Sequence, residues 1–339
     1  MDWILLIFLL SIAVFCRPNH GIEKEDDYLS LSNTNALRGI MAIGIVLHHL
    51  SEHVTTGKFF LFLNHMGYLL VAVFFFLSGY GLMVQFMKKG KAYLNTIWKK
   101  RVLFFTIILL LDTFLYVAFN LLYGKKCTVH GFFLSFVNGH PLAGSSWYLI
   151  AQIYFYIFFW CVFHWFECKW LRMFCMAVLI VLCDTVFLAC GYPTFWVFSN
   201  FAFVLGMLWA QEKSRIDLAL KRFYYAVLGG VAALFLLFSF CPAFLSKSAY
   251  LPCRMISAPL FAAFVVLLFK KVRIVGRFWS TVNLVSLEIF LLHALVYQFF
   301  RSNVVHVHND VVWTCLTLAC TVLLAIPAHL LNQKIRSYL

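Results

Sequence analysis

The stretch Ala36-Leu37-Arg38-Gly39-Ile40-Met41-Ala42-Ile43-Gly44-Ile45-Val46-Leu47-His48-His49-Leu50 decides how the rest of the chain is read. It is an apolar run with a guanidinium near one end and two imidazoles at the other. On an α-helix, Arg38 and His49 fall within about 20° of one face and about 16 Å apart along the axis. With Arg38 at one boundary of a hydrocarbon core of about 30 Å, His49 is expected near the midplane. An ionisable group there is costly and usually lines a cavity or a substrate path. The competing reading is an arginine snorkelling to lipid phosphates and a histidine satisfied by neighbouring backbone.

Composition favours the membrane. Of 339 residues, 63% are hydrophobic and only 12% charged, against about 25% charged in soluble domains. Apolar runs lie near 3–16, 36–54, 60–87, 102–122, 147–166, 173–190, 194–210, 223–242, 254–269, 280–300 and 311–331. The expected fold is therefore all-α: a polytopic integral membrane helical bundle of about 10–11 transmembrane helices. The net charge of +14 does not read as nucleic-acid binding, because the basic residues sit in short clusters between the runs. With the N-terminus outside, the alternation puts 21 of the 27 Lys and Arg residues on the cytoplasmic side, as the positive-inside rule requires.

The run 3–16 reads as an extra helix rather than a signal peptide. Asp2 and Phe15-Cys16-Arg17 supply neither a basic leader nor a small-residue cleavage site. Residues 1–29, with the acidic Glu23, Glu25, Asp26 and Asp27, form an extra N-terminal apolar helix and polar loop; residues 30–339 form the main domain. The eleven cysteines contain no CxxC and read as buried thiols. Cys241 and Cys253 flank one outer loop and could pair in an oxidising compartment.

Three further stretches can carry chemistry. Ser78-Gly79 lies ten residues above Lys88, about 15 Å deep, although small residues there also serve close helix packing. Glu288 lies eleven residues beyond Arg277, at a similar depth on a straight helix, and His293 follows it. Asp112 and Asp184 fall within apolar runs and are assigned packing or cavity roles. His49-Leu50-Ser51-Glu52-His53 matches H-x-x-E-H, a zinc-peptidase pattern. No third ligand recommends itself beside His49 and His53, so no metal is expected.

These residues resemble the acyltransferase-3 family of membrane acyltransferases. Arg38 and His49 look like its Arg-x10-His signature, and Phe75-Phe76-Leu77-Ser78-Gly79-Tyr80 like its F-F-x-x-S-G-[FY] segment. Trp98-Lys99-Lys100-Arg101, Ser146-Trp147-Tyr148-Leu149, Phe203-Val204-Leu205-Gly206 and Ser286–His293 are similar to later segments, in the family's order. The resemblance covers roughly 30–331 and makes the first run an addition to a ten-helix core. It implies transfer of an acyl group, usually acetyl, from cytoplasmic acyl-CoA to a hydroxyl of a cell-envelope or extracellular glycan or another acceptor. On that reading His49 is the base or acyl carrier. Arg38, Lys99, Lys100 and Arg101 bind the donor, and Ser78, Gly79, Glu288 and His293 line the cavity, where Glu288 could orient an imidazole. Acyl-CoA is a co-substrate, with no permanently bound cofactor. The expected partners are the donor, the hydroxyl acceptor and membrane lipids; the chain acts alone or with a separate envelope protein. The expected location is a bacterial cytoplasmic membrane. The competing class is a transporter or flippase for a glycan or lipid, which would use the same basic entrance.

Overall fold

The computed structural model describes residues 1–18, 28–124, 128–241 and 249–339. The acidic loop Glu23–Asp27 and Lys125, Lys126 and Lys247, used in the charge alternation, lie outside the described residues. The chain begins with α1 (Asp2–Phe15), β1 (Cys16–Pro18), α2 (Leu31–Ser51), the short α3 (Lys58–Leu61) and a 3-10 turn (Phe62–His65). Next come α4 (Gly67–Lys89) and α5 (Lys91–Ile97), which continues through a π-helical turn (Trp98–Leu103) into α6 (Phe104–Leu122). There follow α7 (Val129–Val137), α8 (Trp147–Trp165), α9 (Lys169–Ala189), α10 (Phe201–Gln211), α11 (Lys213–Phe240) and α12 (Tyr250–Lys271). The chain then runs through β2 (Val272–Ile274), α13 (Phe278–Leu284), α14 (Ser286–Phe300) and α15 (Asp310–Tyr338).

Among the described residues, eight helical segments are long and apolar enough to cross a bilayer: α4, α5–α6, α8, α9, α10, α11, α12 and α15. The pair α13–α14 makes a ninth, bent by 74° at Val285. The other two of the eleven expected spans are α1, with 14 residues, and α2, whose 21 residues include polar ends. The all-α polytopic class stands.

The helices group into two compact units, Met1–Val71 with Val265–Lys334, and Ala72–Phe264 with Ile335–Leu339. In the first, α2 packs along α13 and α14. Ser30 caps it by accepting from Asn33 N. Its buried set, from Ala36 through Leu50, runs around most of the helix, which marks a central rather than a surface element. Gly39 lets it approach α13, since a Cβ there would collide with the Trp279 carbonyl. The N-terminal helix is tied in at both ends. Asp2 Oδ1 accepts from Phe59 N at 3.0 Å and Phe60 N at 2.9 Å, at the start of α3, where a carboxylate faces the positive end of a helix. At its other end, β1 pairs antiparallel with β2, Cys16 opposite Ile274. The charge alternation places each of these pairs of segments on a common side.

In the second unit, α4 and α10 cross through a reciprocal glycine contact. A Cβ on Gly79 would collide with the Phe203 carbonyl, and one on Gly206 with the Phe76 carbonyl. Close approach of this kind favours van der Waals association where lipid offers no hydrophobic drive. Ion pairs link the loops at one end: Lys91 with Glu167 at 3.0 Å and Lys169 with Glu212 at 3.2 Å. Lys91 beside it holds the Glu167 carboxyl below the usual carboxylate range. At the other end, Tyr192 Oη donates to the Phe136 carbonyl at 2.7 Å and Trp196 Nε1 to the Gly139 carbonyl at 2.9 Å. Both groupings match the sides assigned from the charge alternation. Cys241 and Cys253 are free thiols in hydrogen-bond contact.

Candidate active site

The first unit gathers His48, His49, Glu52, His53 and His293 at the end of α2. The helix runs unbroken from Leu31 to Ser51, so Arg38 and His49 do share a face. Arg38 is the eighth residue of the helix, and His49 sits in its last turn. Beyond Ser51 the chain turns, and Gly57 takes φ +93°, a conformation that favours glycine.

His49 and His48 are adjacent but differently held. The His48 Nδ1 atom lies 2.8 Å from the Leu63 carbonyl oxygen, so Nδ1 carries the proton and donates. The His48 ring also fills the space beside Gly67, where any Cβ would collide with it. Its side chain is 12% exposed. His49 is 32% exposed, and its Nδ1 lies 3.0 Å from Glu52 Oε2. An imidazole donating from Nδ1 to a carboxylate keeps its Nε2 lone pair free to accept a proton, the logic of a base oriented by an acid. The His293 ring stacks on His49, with centroids 5.0 Å apart and planes at 25°. Its own Nδ1 points to the Ile289 carbonyl at 3.2 Å. His53 lies against Tyr297 and Trp313 at 4.9 and 6.2 Å.

The carboxylate that orients His49 is Glu52, which sequence reasoning met only inside the H-x-x-E-H pattern. Glu288 does meet an imidazole, but that of His329. Its Oε1 accepts from His329 Nδ1 at 3.1 Å and from Asn332 Nδ2 at 2.7 Å. Depth counted along a straight helix from Arg277 fails for Glu288, because α13 and α14 bend apart at Val285 and Glu288 sits in the first turn of α14. Arg38 is half-buried, and its Nη1 donates to Asn35 Oδ1 at 3.4 Å.

The remaining predicted residues belong to the second unit. Ser78 Oγ donates to Gln152 Oε1 at 2.9 Å and meets Tyr156 Oη at 3.2 Å. Gln152 Nε2 in turn donates to Tyr148 Oη at 3.1 Å. The Arg101 guanidinium lies 5.9 Å from the Tyr156 ring centroid, within cation–π range. Lys99 and Lys100 are exposed. Arg101 thus points away from the two lysines beside it in sequence and lies against Tyr156 of the Ser78 cluster. Gly79 is a packing glycine, set against the Phe203 carbonyl. Asp184 Oδ1 accepts from Asn200 Nδ2 at 2.6 Å. Asp112 is buried with neither oxygen hydrogen-bonded among the described residues.

The apolar helical spans define a polytopic membrane protein, and in its first unit an imidazole meets a carboxylate. The family comparison makes this specific: the acyltransferase-domain model of the acyltransferase-3 family matches residues 31–330, and the chain belongs to that family. No curated protein and no solved structure matches it. The protein is therefore a membrane acyltransferase, and the transporter reading falls. The helix α1 lies outside the matched residues.

Proposed function

We propose that the protein moves an acyl group, acetyl first among the candidates, from acyl-CoA to a hydroxyl of a cell-envelope or extracellular glycan. The observation that carries the chemistry is the 3.0 Å contact from His49 Nδ1 to Glu52 Oε2. It supports His49 as general base through Nε2. The acceptor oxygen attacks the thioester carbonyl as Nε2 takes its proton. The carbon–oxygen bond forms, the carbon–sulfur bond breaks, and the CoA thiolate leaves with the proton returned by the imidazolium. Glu52 stabilises that imidazolium while it lasts. His293, stacked on His49, fixes the ring plane.

Donor recognition is a matter of phosphate chemistry. Arg38, in the first unit, offers a planar fork suited to bidentate phosphate contacts. Lys99 and Lys100, exposed in the second unit, are candidates for phosphate contacts of their own, as point charges. Ser78, with Gln152 and Tyr156, is a candidate for polar contact to substrate.

The test is thiol release from acetyl-CoA by the purified full chain in nanodiscs, with and without extracted envelope glycan. Mass spectrometry of the glycan identifies the group added. Glycan-dependent thiol release together with a new ester supports the reading. Thiol release from longer acyl-CoA but not acetyl-CoA overturns the choice of acetyl. An ester on a lipid or a protein overturns the choice of glycan.

A further inference from the structure

The end of α2 carries more ligating atoms than a base and its orienting acid require. The Nε2 of His48 lies 3.7 Å from Glu52 Oε1, and the Nδ1 of His49 lies 3.0 Å from Glu52 Oε2. One ligand atom from each of His48, His49 and Glu52 lies within 4.8 Å of the others. A tetrahedral ion with nitrogen and oxygen ligands at about 2.0–2.2 Å has ligand–ligand edges of about 3.4 Å. The two short separations run to the two oxygens of the one carboxylate, so Glu52 faces both rings, and side-chain rotations that draw one atom of each residue inward from 4.8 Å reach the tetrahedral edge.

Two observations show a prepared ligand rather than a chance cluster. His48 already donates its Nδ1 proton to the Leu63 carbonyl. That is the outer bond which metal-bound histidines characteristically make, and it leaves the opposite nitrogen free to coordinate. The ring is also wedged where residue 67 has no Cβ, so its direction is fixed before any ion arrives. Glu52 is 45% exposed, which leaves an open path and room for a water as fourth ligand. The trio differs from the one H-x-x-E-H suggests, since His53 packs against Tyr297 and Trp313 instead.

We propose that His48 Nε2, His49 Nδ1 and Glu52 form a site for a divalent transition metal of the zinc class, and that filling it switches off acyl transfer. The switch rests on the reading of His49 as base. A neutral imidazole that coordinates through Nδ1 carries its proton on Nε2. The Nε2 lone pair that would take the acceptor proton is then gone, and Glu52 is drawn from orienting the ring to binding the ion. No group is oxidised or reduced; the proton on His49 moves from Nδ1 to Nε2 through solvent.

The experiment uses the full chain without a polyhistidine tag, stripped with chelator and held in nanodiscs. Co²⁺ is titrated and followed by its visible ligand-field absorption; Zn²⁺ then competes. Wild type should bind one ion per chain, with the absorption of a four-coordinate site. His48→Ala should weaken binding at least tenfold while keeping acyl transfer, and that transfer should resist Zn²⁺ concentrations that silence wild type. If His48→Ala does not fold, Glu52→Gln read by metal binding alone replaces it, because a neutral amide is a poor ligand for this class of ion; the same tenfold weakening is expected. Absence of the Co²⁺ spectrum, or undiminished binding in the variant that folds, overturns the site and leaves the base reading standing. Binding that depends on His48 but does not inhibit transfer keeps the site and overturns the switch, and with it His49 as base.

Discussion

Replacing Glu52 separates the orientation of the base from the base itself. In wild type Glu52 Oε2 accepts from His49 Nδ1 at 3.0 Å, and as His49 takes a proton that contact becomes an ion pair. A hydrogen bond to a charged partner contributes about 1.5–3 kcal/mol. The Glu52 side chain is 45% exposed, so solvent screening favours the lower end, about 1.5–2 kcal/mol. At 1.36 kcal/mol per tenfold in rate, Glu52→Gln should lower kcat roughly 10- to 30-fold. The amide oxygen still accepts from Nδ1–H, so the ring keeps its tautomer and the loss is one of charge only. Glu52→Leu removes the acceptor too, and its loss should approach 10²-fold, the lower limit for a missing base. Neither change should alter KM for acyl-CoA. The assay is initial-rate thiol release from acetyl-CoA at saturating glycan, per mole of monodisperse protein. A wild-type kcat in both variants would refute the orienting role. A fall in Glu52→Gln equal to that of His49→Ala would refute the magnitude argument.

Other expectations follow from particular contacts. Arg38→Ala should weaken acetyl-CoA binding, measured by equilibrium dialysis, and Arg38→Lys should restore it poorly, because a point charge does not replace a planar fork; wild-type binding by Arg38→Ala would make Arg38 a structural or lipid-anchoring residue. Gly206→Ala presses a methyl onto the Phe76 carbonyl and should cost about 1–3 kcal/mol of stability, read as earlier loss of monodispersity on heating; an unchanged profile would mean that α4 and α10 do not pack through their glycines. Cys168 and Cys190 are exposed thiols at opposite ends of α9. Backbone N–H groups of Leu171 and Trp170 hold the Cys168 thiol below its usual range. A membrane-impermeant maleimide applied to intact cells should label Cys190 and spare Cys168, and the reverse pattern would invert the topology.

The helices and their order were legible because the apolar runs are long and the basic residues alternate between their ends. The spacing of Arg38 and His49 was legible for the same reason: one unbroken helix carries both. The stacking of His293 on His49 followed from no local rule and came within reach only through resemblance. Glu52 stands three positions after His49 and keeps the helical conformation at the C-cap, so i,i+3 spacing brings the two together; in the sequence it was met only as part of the H-x-x-E-H pattern. The bend at Val285 was invisible because neither Pro nor Gly marks it, so the run near 280–300 reads as one span. His329 was missed because its partner Glu288 lies 41 residues away. Arg101 was grouped with Lys99 and Lys100 because the three stand in one basic cluster of the sequence, although consecutive helical positions point about 100° apart. The π-helical turn through Trp98–Leu103 is a local departure that no composition rule foresees. The helix α1 looked like an appendage, and the contacts that tie it in, through Asp2 and the β1–β2 pair, join residues far apart in sequence.

The central claim is that the His49 imidazole removes the acceptor proton. His48 is its neighbour on the same turn, with its ring held by Leu63 and Gly67, and so serves as the internal control. The measurement is transfer of labelled acetyl from acetyl-CoA to envelope glycan by monodisperse wild type, His49→Ala and His48→Ala, with chelator present throughout. Loss of a general base costs about 10²–10⁴ in rate. The account predicts that His49→Ala folds, binds acetyl-CoA and falls within that range, while His48→Ala keeps most of its transfer. Near-normal transfer by folded His49→Ala would contradict it.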